Sequence, residues 1–371
     1  MRIMQDFQIF VRQRFGGISR YHLELNRNIL SLGEKSFIKV AYPQCEYLKQ
    51  TQKVYRYPNK LFRNSIYILN EIVSFFYVIL MSLSEKPIDI IHVSWYKTSY
   101  IKALNAVLKS RRPKVVITVY DLIHEMTMNA NPIMKKGAID RQNALRLADG
   151  IICISENTKK DLFEYYPEAK SKPTKVIYLS SDVVKNTKRE IKVTTPYILY
   201  VGNRDGYKNF SNFIVAVAEI LKLKKEYIVF CAGGGDFKSE ELSLFERLGI
   251  KANVVQKNVS DNELAELYQN ASCFVFPSLY EGFGIPILEA FNNECPIAIH
   301  NGSCFPEIAK DAAAYFDGKK VDSILSTIMK ILDDDIYRST LVEKGKIVAA
   351  SYSWEKTASS TINFYKEILR D

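Results

Sequence analysis

The sequence predicts an α/β protein with two doubly wound parallel sheets. Short runs of β-branched residues alternate with helical patterns along the whole chain, which is typical of parallel βαβ units. The chain has 371 residues, of which 47% are hydrophobic and 25% are charged. Such a length suits two domains of ordinary size better than one core.

Ten strands are predicted, five in each half of the chain. Their positions are 37–42, 88–94, 114–120, 150–155 and 175–179 in the first half, and 197–202, 227–233, 252–256, 273–277 and 295–300 in the second. Between the two sets, the polar and poorly periodic stretch 180–196 predicts a linker. We therefore expect an N-terminal domain over 1–182, a C-terminal domain over 183–350, and a last helix over 351–371 that packs back on the first domain.

Cysteine usage favours a reduced, cytoplasmic protein. The six cysteines show no CxxC pairing and no histidine at metal-ligand spacing, and most lie in apolar runs. The first 15 residues contain Asp6 and three arginines, so they lack the apolar core of a signal peptide. Asp333, Asp334 and Asp335 match a metal-binding DxD pattern, but they lie between two helical segments. We interpret them as a solvated turn with a helix cap, and expect no metal or other cofactor.

Positive charge is concentrated in the first half of the chain. Residues 1–180 carry 28 Lys and Arg against 15 Asp and Glu, a balance of +13, while the remainder has a balance of −3. This asymmetry points to an anionic partner, either a nucleic acid or an anionic membrane surface.

The most apolar stretch is SIYILNEIVSFFYVILMSLS at 65–84, preceded by Arg56, Lys60 and Arg63. Its length is close to that of a membrane span, but Glu71 lies inside it and a strand follows at once. The favoured interpretation is a helix buried between a sheet and its neighbours. The second is a helix at the membrane interface, with the basic residues on anionic headgroups and the FFY aromatics among the lipids. A true membrane span is the third and least favoured.

One segment of the second half reads PSLYEGFGIPILE and sets Glu281 and Glu289 eight positions apart. Gly282 and Gly284 allow the backbone to approach a ligand closely, and Pro286 suits the first turn of a helix. A helix N-terminus accommodates a phosphate, and ionised carboxylates accept hydrogen bonds from sugar hydroxyls. The segment therefore predicts a nucleotide-sugar site.

Two further loops indicate phosphate binding. Gly16 and Gly17 open a helix in RFGGISRYHLEL, although the pattern is neither GxGxxG nor a P-loop and also fits an ordinary turn. Arg204 and Lys208 lie in the loop after the strand that ends at Gly202. Cations at the carboxyl end of a strand are placed to neutralise a diphosphate, although surface loops often carry cations.

Polar and glycine-rich residues follow two other strands. Asp121 and His124 come after KVVITVY, where the carboxylate would accept a sugar hydroxyl and the imidazole would position a substrate group. The alternative is a histidine that caps a loop. Gly233, Gly234 and Gly235 follow YIVFCA and suit a nucleotide pocket, but no acidic pattern indicates NAD.

Six segments together carry a family resemblance. They are GGISRY, TVYDLIHE, ISENTKKDL, YVGNRDGYKN, FVFPSLYEGFGIPILEA and FPEIAKDAAAYFD. In this order and spacing the chain resembles the retaining GT-B glycosyltransferases of family 4, in a bacterial, mannosyltransferase-like subgroup. The resemblance implies two Rossmann-like domains facing across a cleft, with the nucleotide-sugar bound mainly by the C-terminal one.

The resemblance also implies roles for individual residues. Glu281 would contact the hydroxyls of the donor sugar, and Glu289 would hold the ribose. Arg204 and Lys208 would bind the diphosphate and stabilise the leaving group without a metal. The other implied donor-binding positions are Gly16, Gly17, Gly202, Gly282, Phe283, Gly284 and Ile285.

The chain departs from the family pattern at one site residue. Many relatives have a histidine immediately before the aspartate of the TVxD segment, where this chain has Tyr120. The resemblance then implies one of two outcomes: His124, beside Asp121, takes over the contact with the sugar, or that contact is lost.

The resemblance implies hexose transfer from GDP-mannose or a UDP-sugar to a saccharide acceptor that is linked to a lipid. Such an enzyme would build a surface polysaccharide or O-antigen, peripherally bound to the cytoplasmic face of the inner membrane. A sugar-nucleotide epimerase of the same fold is an alternative. A nucleic-acid-binding protein with a degenerate enzyme fold is another, but RNP, zinc-finger and helix-turn-helix motifs are missing, so no nucleic acid is expected.

Overall fold

A computed structural model describes most of the chain, namely residues 1–127, 132–181 and 195–370. The chain divides into two compact units. Unit 1 consists of Met1–Leu179 and Ser353–Asp371, and unit 2 of Ser180–Tyr352. Most of the predicted linker at 180–196 lies outside the described residues.

The described residues form twelve strands in two parallel sheets. The strands are β1 Arg2–Gln5, β2 Lys35–Ile38, β3 Ile90–Val93, β4 Lys114–Val119, β5 Gly150–Cys153, β6 Thr174–Val176, β7 Tyr197–Val201, β8 Ile228–Ala232, β9 Val254–Lys257, β10 Cys273–Phe276, β11 Ile297–His300 and β12 Ala314–Phe316. The order is β2-β1-β3-β4-β5-β6 in unit 1 and β12-β11-β10-β7-β8-β9 in unit 2. The predicted class of two doubly wound parallel sheets is confirmed.

Helices alternate with these strands. They are α1 Gln8–Arg12, α2 Gly17–Ser31, α3 Lys60–Ser82, α4 Ser99–Leu108, α5 Ile123–Thr127, α6 Pro132–Leu147, α7 Glu156–Tyr165, α8 Phe210–Leu223, α9 Ser239–Leu248, α10 Asp261–Asn270, α11 Ile285–Asn292, α12 Phe305–Ala309, α13 Val321–Asp333, α14 Asp335–Ala350 and α15 Trp354–Arg370. Short 3-10 helices lie at Glu46–Leu48, Lys109–Arg111, Pro167–Ser171, Gly206–Lys208 and Lys251–Asn253.

The prediction of five strands in each half is wrong by one strand per sheet. Strand β1 has only two apolar residues, Ile3 and Met4, between Arg2 and Gln5, so its pattern is too short to stand out, although both apolar side chains are fully buried. Strand β12 begins at the last alanine of the segment DAAAYF. A run of alanines is more typical of a helix than of a strand. Both strands gain their conformation from pairing with a neighbour.

Helix α15 packs within unit 1, against α2 and β4. The Tyr365 hydroxyl lies 2.7 Å from Nδ1 of the buried His92 in β3. A Cβ at Gly150 would lie 2.1 Å from Cδ1 of Ile368, so the glycine in β5 allows the helix to approach the sheet.

Helix α3 is largely exposed, so the prediction that it is buried between a sheet and its neighbours is wrong. Its buried residues share one narrow stripe at helical spacing, Tyr67, Asn70, Ser74 and Val78. The apolar side chains lie mainly on the other faces: Leu61 is 75% exposed, Phe76 58% and Leu80 67%. By length and composition, α3 is also the one described helix that would suit a membrane span.

Candidate active site

The carboxyl ends of β7 and β10 form the topological switch point of unit 2. From β7 the sheet extends to β8 and β9, and from β10 to β11 and β12, so the chain leaves the two central strands in opposite directions. A crevice opens between the loops at such a point, and open α/β sheets bind ligands there. The loops after β7 and β10 carry most of the predicted donor-binding residues.

Hydrogen bonds join these two loops. The Leu279 amide donates to the Tyr207 carbonyl at 2.8 Å. The Asn209 side-chain amide donates to the carbonyls of Pro277 at 3.2 Å and Gly318 at 2.7 Å. Asn209 is buried and takes the left-handed conformation, with φ of 57°, a conformation that asparagine tolerates well. We missed this residue in the sequence, where the signal was an asparagine directly before the helix.

Lys208 and Glu281 form an ion pair across the switch point. Lys208 Nζ lies 2.5 Å from Glu281 Oε1, and the two side chains are 20% and 15% exposed. Both predicted catalytic groups therefore reach the same crevice from different strands. A cation beside a carboxylate there provides one group for a diphosphate and one for sugar hydroxyls.

Ser303 holds the backbone of Glu281 in place. The Glu281 amide donates to Ser303 Oγ at 3.0 Å, and that hydroxyl donates back to the Glu281 carbonyl at 2.7 Å. Ser303 itself has φ of 55°, a left-handed conformation. Nothing in the sequence singles out this serine, because the contact spans 22 residues.

Helix α11 begins at the crevice as predicted from the glycine and proline pattern. Gly284 caps it with φ of 86°, where a side chain would strain the backbone, and Pro286 lies in the first turn. Within the described part of the chain, the amides of Gly284 and Ile285 have no hydrogen-bond acceptor. Phe283 is 2% exposed and packs on Tyr352, which anchors the loop.

Glu289 lies inside α11 and is 7% exposed. Its Oε2 accepts a hydrogen bond from the buried Tyr268 hydroxyl at 3.1 Å. Burial, and after it the charge of Glu289, raise the pKa of Tyr268, so the tyrosine stays a proton donor to this carboxylate. The tyrosine therefore helps to orient this carboxylate.

Arg204 lies in the same loop as Lys208, and its guanidinium bonds to Glu241 of α9 and to the loop after β8. Nε lies 2.7 Å from Glu241 Oε1, and the side chain is 3% exposed. Nη1 donates to the Gly233 carbonyl at 3.2 Å and Nη2 to the Gly235 carbonyl at 2.9 Å. Arg204 therefore shapes the glycine loop after β8, and its predicted contact with a diphosphate remains a prediction.

The glycine loop needs its glycines. Gly233, Gly234 and Gly235 have φ of 77°, 75° and 71°, in the left-handed region. A Cβ at Gly234 would lie 2.6 Å from both Arg204 Nη1 and the Gly202 carbonyl. The loop and Arg204 therefore fit each other closely, beside the carboxyl end of β7.

Gly16 and Gly17 lie at the start of α2 in unit 1. Gly16 precedes the helix, and its carbonyl accepts from Ser19 Oγ at 2.9 Å. The Ser19 amide donates to the Gln13 side chain at 3.3 Å. In the described residues, the Gly17 and Ile18 amides have no acceptor, as expected at a helix N-terminus.

Asp121 and His124 also belong to unit 1, where the fully buried Arg141 of α6 connects them. Arg141 Nη2 lies 3.1 Å from His124 Nδ1 and 3.9 Å from Asp121 Oδ1. A guanidinium can only donate, so Nδ1 accepts and the proton of the neutral imidazole lies on Nε2. Desolvation, and then the charge of Arg141, lower the pKa of His124. His124 is therefore a neutral hydrogen-bond donor at Nε2.

A glycine in α6, Gly137, leaves room for the ring of His124. A Cβ at Gly137 would lie 2.6 Å from His124 Cδ2, so the ring occupies the space that the glycine leaves. Arg141 Nη1 pairs with the buried Glu125 at 3.1 Å, and Tyr166 donates to the same carboxylate at 2.5 Å. Sequence reasoning missed Arg141, which lies 17 residues beyond the histidine.

Tyr120 points into the core of unit 1 and is 6% exposed. Its hydroxyl lies 2.7 Å from His22 Nε2, while His22 Nδ1 lies 2.7 Å from Gln5 Oε1. Desolvation lowers the pKa of His22 far below its ordinary value, so His22 is a neutral group of the core and a partner of the Tyr120 hydroxyl. Tyr120 therefore plays a structural part in this chain.

The helix cap predicted for the aspartate run is confirmed. Asp334 accepts a hydrogen bond from the Tyr337 amide at 2.8 Å at the start of α14. Asp333 pairs with Lys224 at 2.7 Å, and Asp335 pairs with Arg338 at 2.8 Å. Among the described residues, no group of three or more His, Cys, Asp or Glu is arranged to hold a metal ion.

Fold and site define a class, the GT-B glycosyltransferases. Sucrose-phosphate synthase from Thermosynechococcus elongatus shares this fold, with a TM-score of 0.74, 16% identity, and coverage of 99% of each chain. The family model "Glycosyltransferase Family 4" matches residues 15–183, and "Glycosyl transferases group 1" matches residues 184–348. The chain belongs to the family 4 glycosyltransferases.

Two curated relatives are O-antigen enzymes. O-antigen chain mannosyltransferase B of Escherichia coli is 27% identical over 73% of this chain and 75% of its own length. O-antigen chain mannosyltransferase RfbU of Salmonella typhimurium is 26% identical over 64% of this chain and 71% of its own length.

Proposed function

We propose that the protein is a retaining hexosyltransferase that builds O-antigen or a related surface polysaccharide. The donor would be GDP-mannose or, as the second choice, a UDP-sugar, and the acceptor a saccharide linked to a lipid. The Lys208–Glu281 pair at the switch point of unit 2 carries this proposal, in a chain whose family transfers sugars. The names of the two O-antigen relatives support mannose as the sugar.

The donor would occupy the crevice between β7 and β10. Lys208 would turn to the diphosphate, and the Gly284 and Ile285 amides at the start of α11 suit the same anion. Glu281 would accept hydrogen bonds from the sugar hydroxyls, and Glu289, oriented by Tyr268, those of the ribose. Gly17, at the start of α2, is the implied phosphate contact from unit 1.

In the reaction, the acceptor hydroxyl oxygen forms a bond to C1 of the hexose while the bond from C1 to the diphosphate oxygen breaks. The electron pair of that bond leaves with the nucleoside diphosphate. Lys208 would stabilise the growing negative charge, which makes stabilisation of the leaving group the main catalytic effect of the protein. A donor phosphate oxygen would accept the acceptor's proton on the same face, so the anomeric configuration would be retained.

The neutral His124 would donate from Nε2 to a hydroxyl of the transferred sugar, with Asp121 beside it. This assignment uses the proton position that Arg141 imposes. Side-chain cations rather than a resident metal would balance the diphosphate charge, so we expect full activity in excess EDTA.

The membrane part of the proposal is supported by α3. Its exposed apolar side chains form a stripe along the helix, and Lys60 and Arg63 lie at its start. Apolar residues beside basic ones are typical of helices that lie in the interface of an anionic bilayer. The protein would then act peripherally on the cytoplasmic face of the inner membrane.

Donor binding and transfer give the test. A thermal-shift panel of GDP-, UDP-, ADP- and dTDP-sugars should show the largest rise in Tm with GDP-mannose. Transfer to a lipid-linked saccharide, with the anomeric configuration of the product read by NMR, should show retention. An epimerised sugar formed from donor alone would contradict the proposal, as would an inverted product.

A further inference from the structure

A cavity of about 310 Å³ lies at the carboxyl ends of the strands of unit 1. This edge includes the switch point of the unit 1 sheet, between β1 and β3. Arg12 follows β1, Trp95 and Lys97 follow β3, and His124 follows β4, while α3 and α6 complete the walls. Such an edge is the usual ligand-binding side of an open α/β sheet.

The lining of this cavity, which we call the cation pocket, is strongly basic. Its cations are Arg12, Lys60, Arg63, Lys97 and Lys136. Asp140 is the one carboxylate in the lining, and in the described part of the chain no carboxylate lies within 4.0 Å of any of the five. Elsewhere in unit 1, cations such as Arg112 and Arg141 are paired at 2.6 and 3.1 Å. Five unpaired positive charges around one cavity indicate an anionic ligand.

Aromatic rings hold two of these cations in position. Arg12 Cζ lies 4.8 Å from the centre of the Trp95 ring, and Lys97 Nζ lies 4.7 Å from the centre of the Tyr67 ring. Desolvation by the surrounding protein lowers the pKa of Arg12, and the charge of Arg63 lowers it further. Arg12 and Arg63 therefore repel each other, and a bound anion would relieve that repulsion.

The pocket opens beside the exposed face of α3. Lys60 and Arg63 line the cavity and also lie in the first turn of α3. Leu61, between them, is 75% exposed. Anion-binding groups and an exposed apolar face therefore meet at one end of α3. A ligand that is both phosphorylated and lipid-linked has the same two chemistries side by side.

We propose that the cation pocket binds the phosphate or diphosphate group that joins the acceptor saccharide to its lipid. This inference rests on the proposed function and adds the acceptor's anionic group and its site. The same phosphate chemistry has a second source, the headgroups of the bilayer, so the experiment must distinguish an acceptor diphosphate from a phospholipid.

The first measurement is binding of inorganic pyrophosphate, followed by tryptophan fluorescence. The chain has two tryptophans: Trp95 lines the pocket, whereas Trp354 is 6% exposed in the core of unit 1. Pyrophosphate should change the emission of the wild type but not that of Trp95→Phe. Arg63→Gln/Lys136→Gln should raise the Kd about tenfold or more, because each cation contributes a charge-assisted hydrogen bond.

The matched control removes two charges from the opposite edge of the same sheet. Arg111 and Lys170 are exposed and precede β4 and β6. Arg111→Gln/Lys170→Gln should leave the Kd for pyrophosphate unchanged. The pocket assignment would be overturned if both double variants lost the same affinity for pyrophosphate, or if neither variant lost any.

The second measurement compares two acceptors that carry the same saccharide, one on a short prenyl diphosphate and one on a neutral octyl group. In the wild type, kcat/KM should be higher for the diphosphate, and Arg63→Gln/Lys136→Gln should reduce that preference about tenfold while transfer to the octyl glycoside persists. An unchanged preference overturns the inference. If the wild type uses neither acceptor, the proposed function fails. The binding of pyrophosphate then still tests whether the cation pocket binds anions.

Sedimentation with phosphatidylglycerol vesicles separates the two sources of phosphate. The pocket variant should bind vesicles within about fivefold of the control variant, because it lacks one basic residue of α3, Arg63, while the apolar face of α3 is intact in both. A larger loss of vesicle binding with an unchanged acceptor preference would assign the pocket to phospholipid headgroups and contradict the proposal.

Discussion

Lys208 and Glu281 lie on loops 73 residues apart in the chain, yet their side chains form a 2.5 Å ion pair between β7 and β10. Neighbouring backbone contacts fix this geometry, since the Leu279 amide donates to the Tyr207 carbonyl. Each side chain is 15–20% exposed, so water still reaches the pair. In the proposed reaction the donor replaces this contact, with Lys208 turning to the diphosphate and Glu281 to the sugar.

Glu281→Gln should lower kcat/KM for transfer by about 100-fold or more, because its carboxylate would contact the sugar that carries charge in the transition state. The fold should survive, with a loss of about 1 kcal/mol, since the ion pair is partly solvated. Steady-state kinetics and urea unfolding of the same preparation measure both effects. The control is Lys238→Gln, which removes an exposed ion pair with Asp205 in the same loop region and should keep full activity. Turnover within a few-fold of the wild type in Glu281→Gln would refute the assignment.

Arg204→Lys should destabilise unit 2 by about 2–4 kcal/mol although the charge is kept. An ammonium group cannot reproduce the planar fork that reaches Glu241 and the carbonyls of Gly233 and Gly235. The distorted glycine loop should also raise the KM for the donor. Urea unfolding measures the first effect, with the exposed Arg247→Lys of α9 as the control. Stability equal to that of the control variant would show that the fork is dispensable.

Ten of the twelve described strands and the turn chemistry were predictable from the sequence, because their signals are local. Gly284, Pro286 and the cap at Asp334 each act within a few residues of their own position. The partners of the site residues were not predictable in this way. Arg141 reaches His124 from the next helix, and Ser303 reaches Glu281 from the loop after β11. Contacts of this kind depend on which strands become neighbours, and one sequence does not reveal that.

The error over α3 has a similar physical origin. Composition gave the helix correctly, and it runs over Lys60–Ser82. Burial, however, depends on what covers each face, and only the stripe through Tyr67 and Val78 is covered within unit 1. The apolar count of a segment does not distinguish a core from an exposed apolar surface.

Gly137→Ala should impair transfer without loss of stability. Alanine favours the helix by about 1 kcal/mol over glycine. Its Cβ, however, would lie 2.6 Å from the ring of His124, which must shift and lose the bond to Arg141. We expect kcat/KM to fall about tenfold while Tm stays the same or rises, as befits one lost hydrogen bond to the sugar.

A double-mutant cycle tests that interpretation. His124→Ala should cause a loss similar to that of Gly137→Ala, and the combined variant should be no worse than His124→Ala alone, because both changes remove the same contact. Full activity in Gly137→Ala, or strictly additive losses, would show that His124 does not act in transfer.

Acid should destabilise unit 1 through two buried histidines. Burial lowers the pKa of His92 to about 3 and that of His22 well below its ordinary 6.5. As pH falls below about 6.5, the unfolded chain binds protons that the folded chain excludes, so the free energy of unfolding falls. The slope should be about 1.4 kcal/mol per pH unit for each histidine, until the pH reaches the folded pKa.

Urea unfolding between about pH 6.5 and 5 measures this slope above the ordinary pKa values of carboxylates. His92→Gln keeps a polar group opposite Tyr365 and Thr118 and removes one titration, so it should reduce the slope by the share of one histidine. A slope that is identical in wild type and variant would mean that His92 is protonated in the folded protein.

The exposed stripe of α3 should bind anionic membranes. The double variant Ile72→Gln/Phe76→Gln changes two side chains that are 49% and 58% exposed. It removes apolar contact with lipid but few contacts within the folded protein. Each lost side chain should weaken binding to phosphatidylglycerol vesicles by about tenfold, from roughly 1.5 kcal/mol of apolar transfer. The control Ile336→Gln/Ile347→Gln changes two isoleucines of α14 that are 82% and 75% exposed. Because it removes similar exposed apolar area from unit 2, it separates the role of α3 from non-specific adsorption of exposed apolar side chains to the vesicles.

Binding should also weaken as salt rises, since Lys60 and Arg63 add an electrostatic term that salt screens. Equal vesicle binding by both double variants would exclude α3 as the docking element.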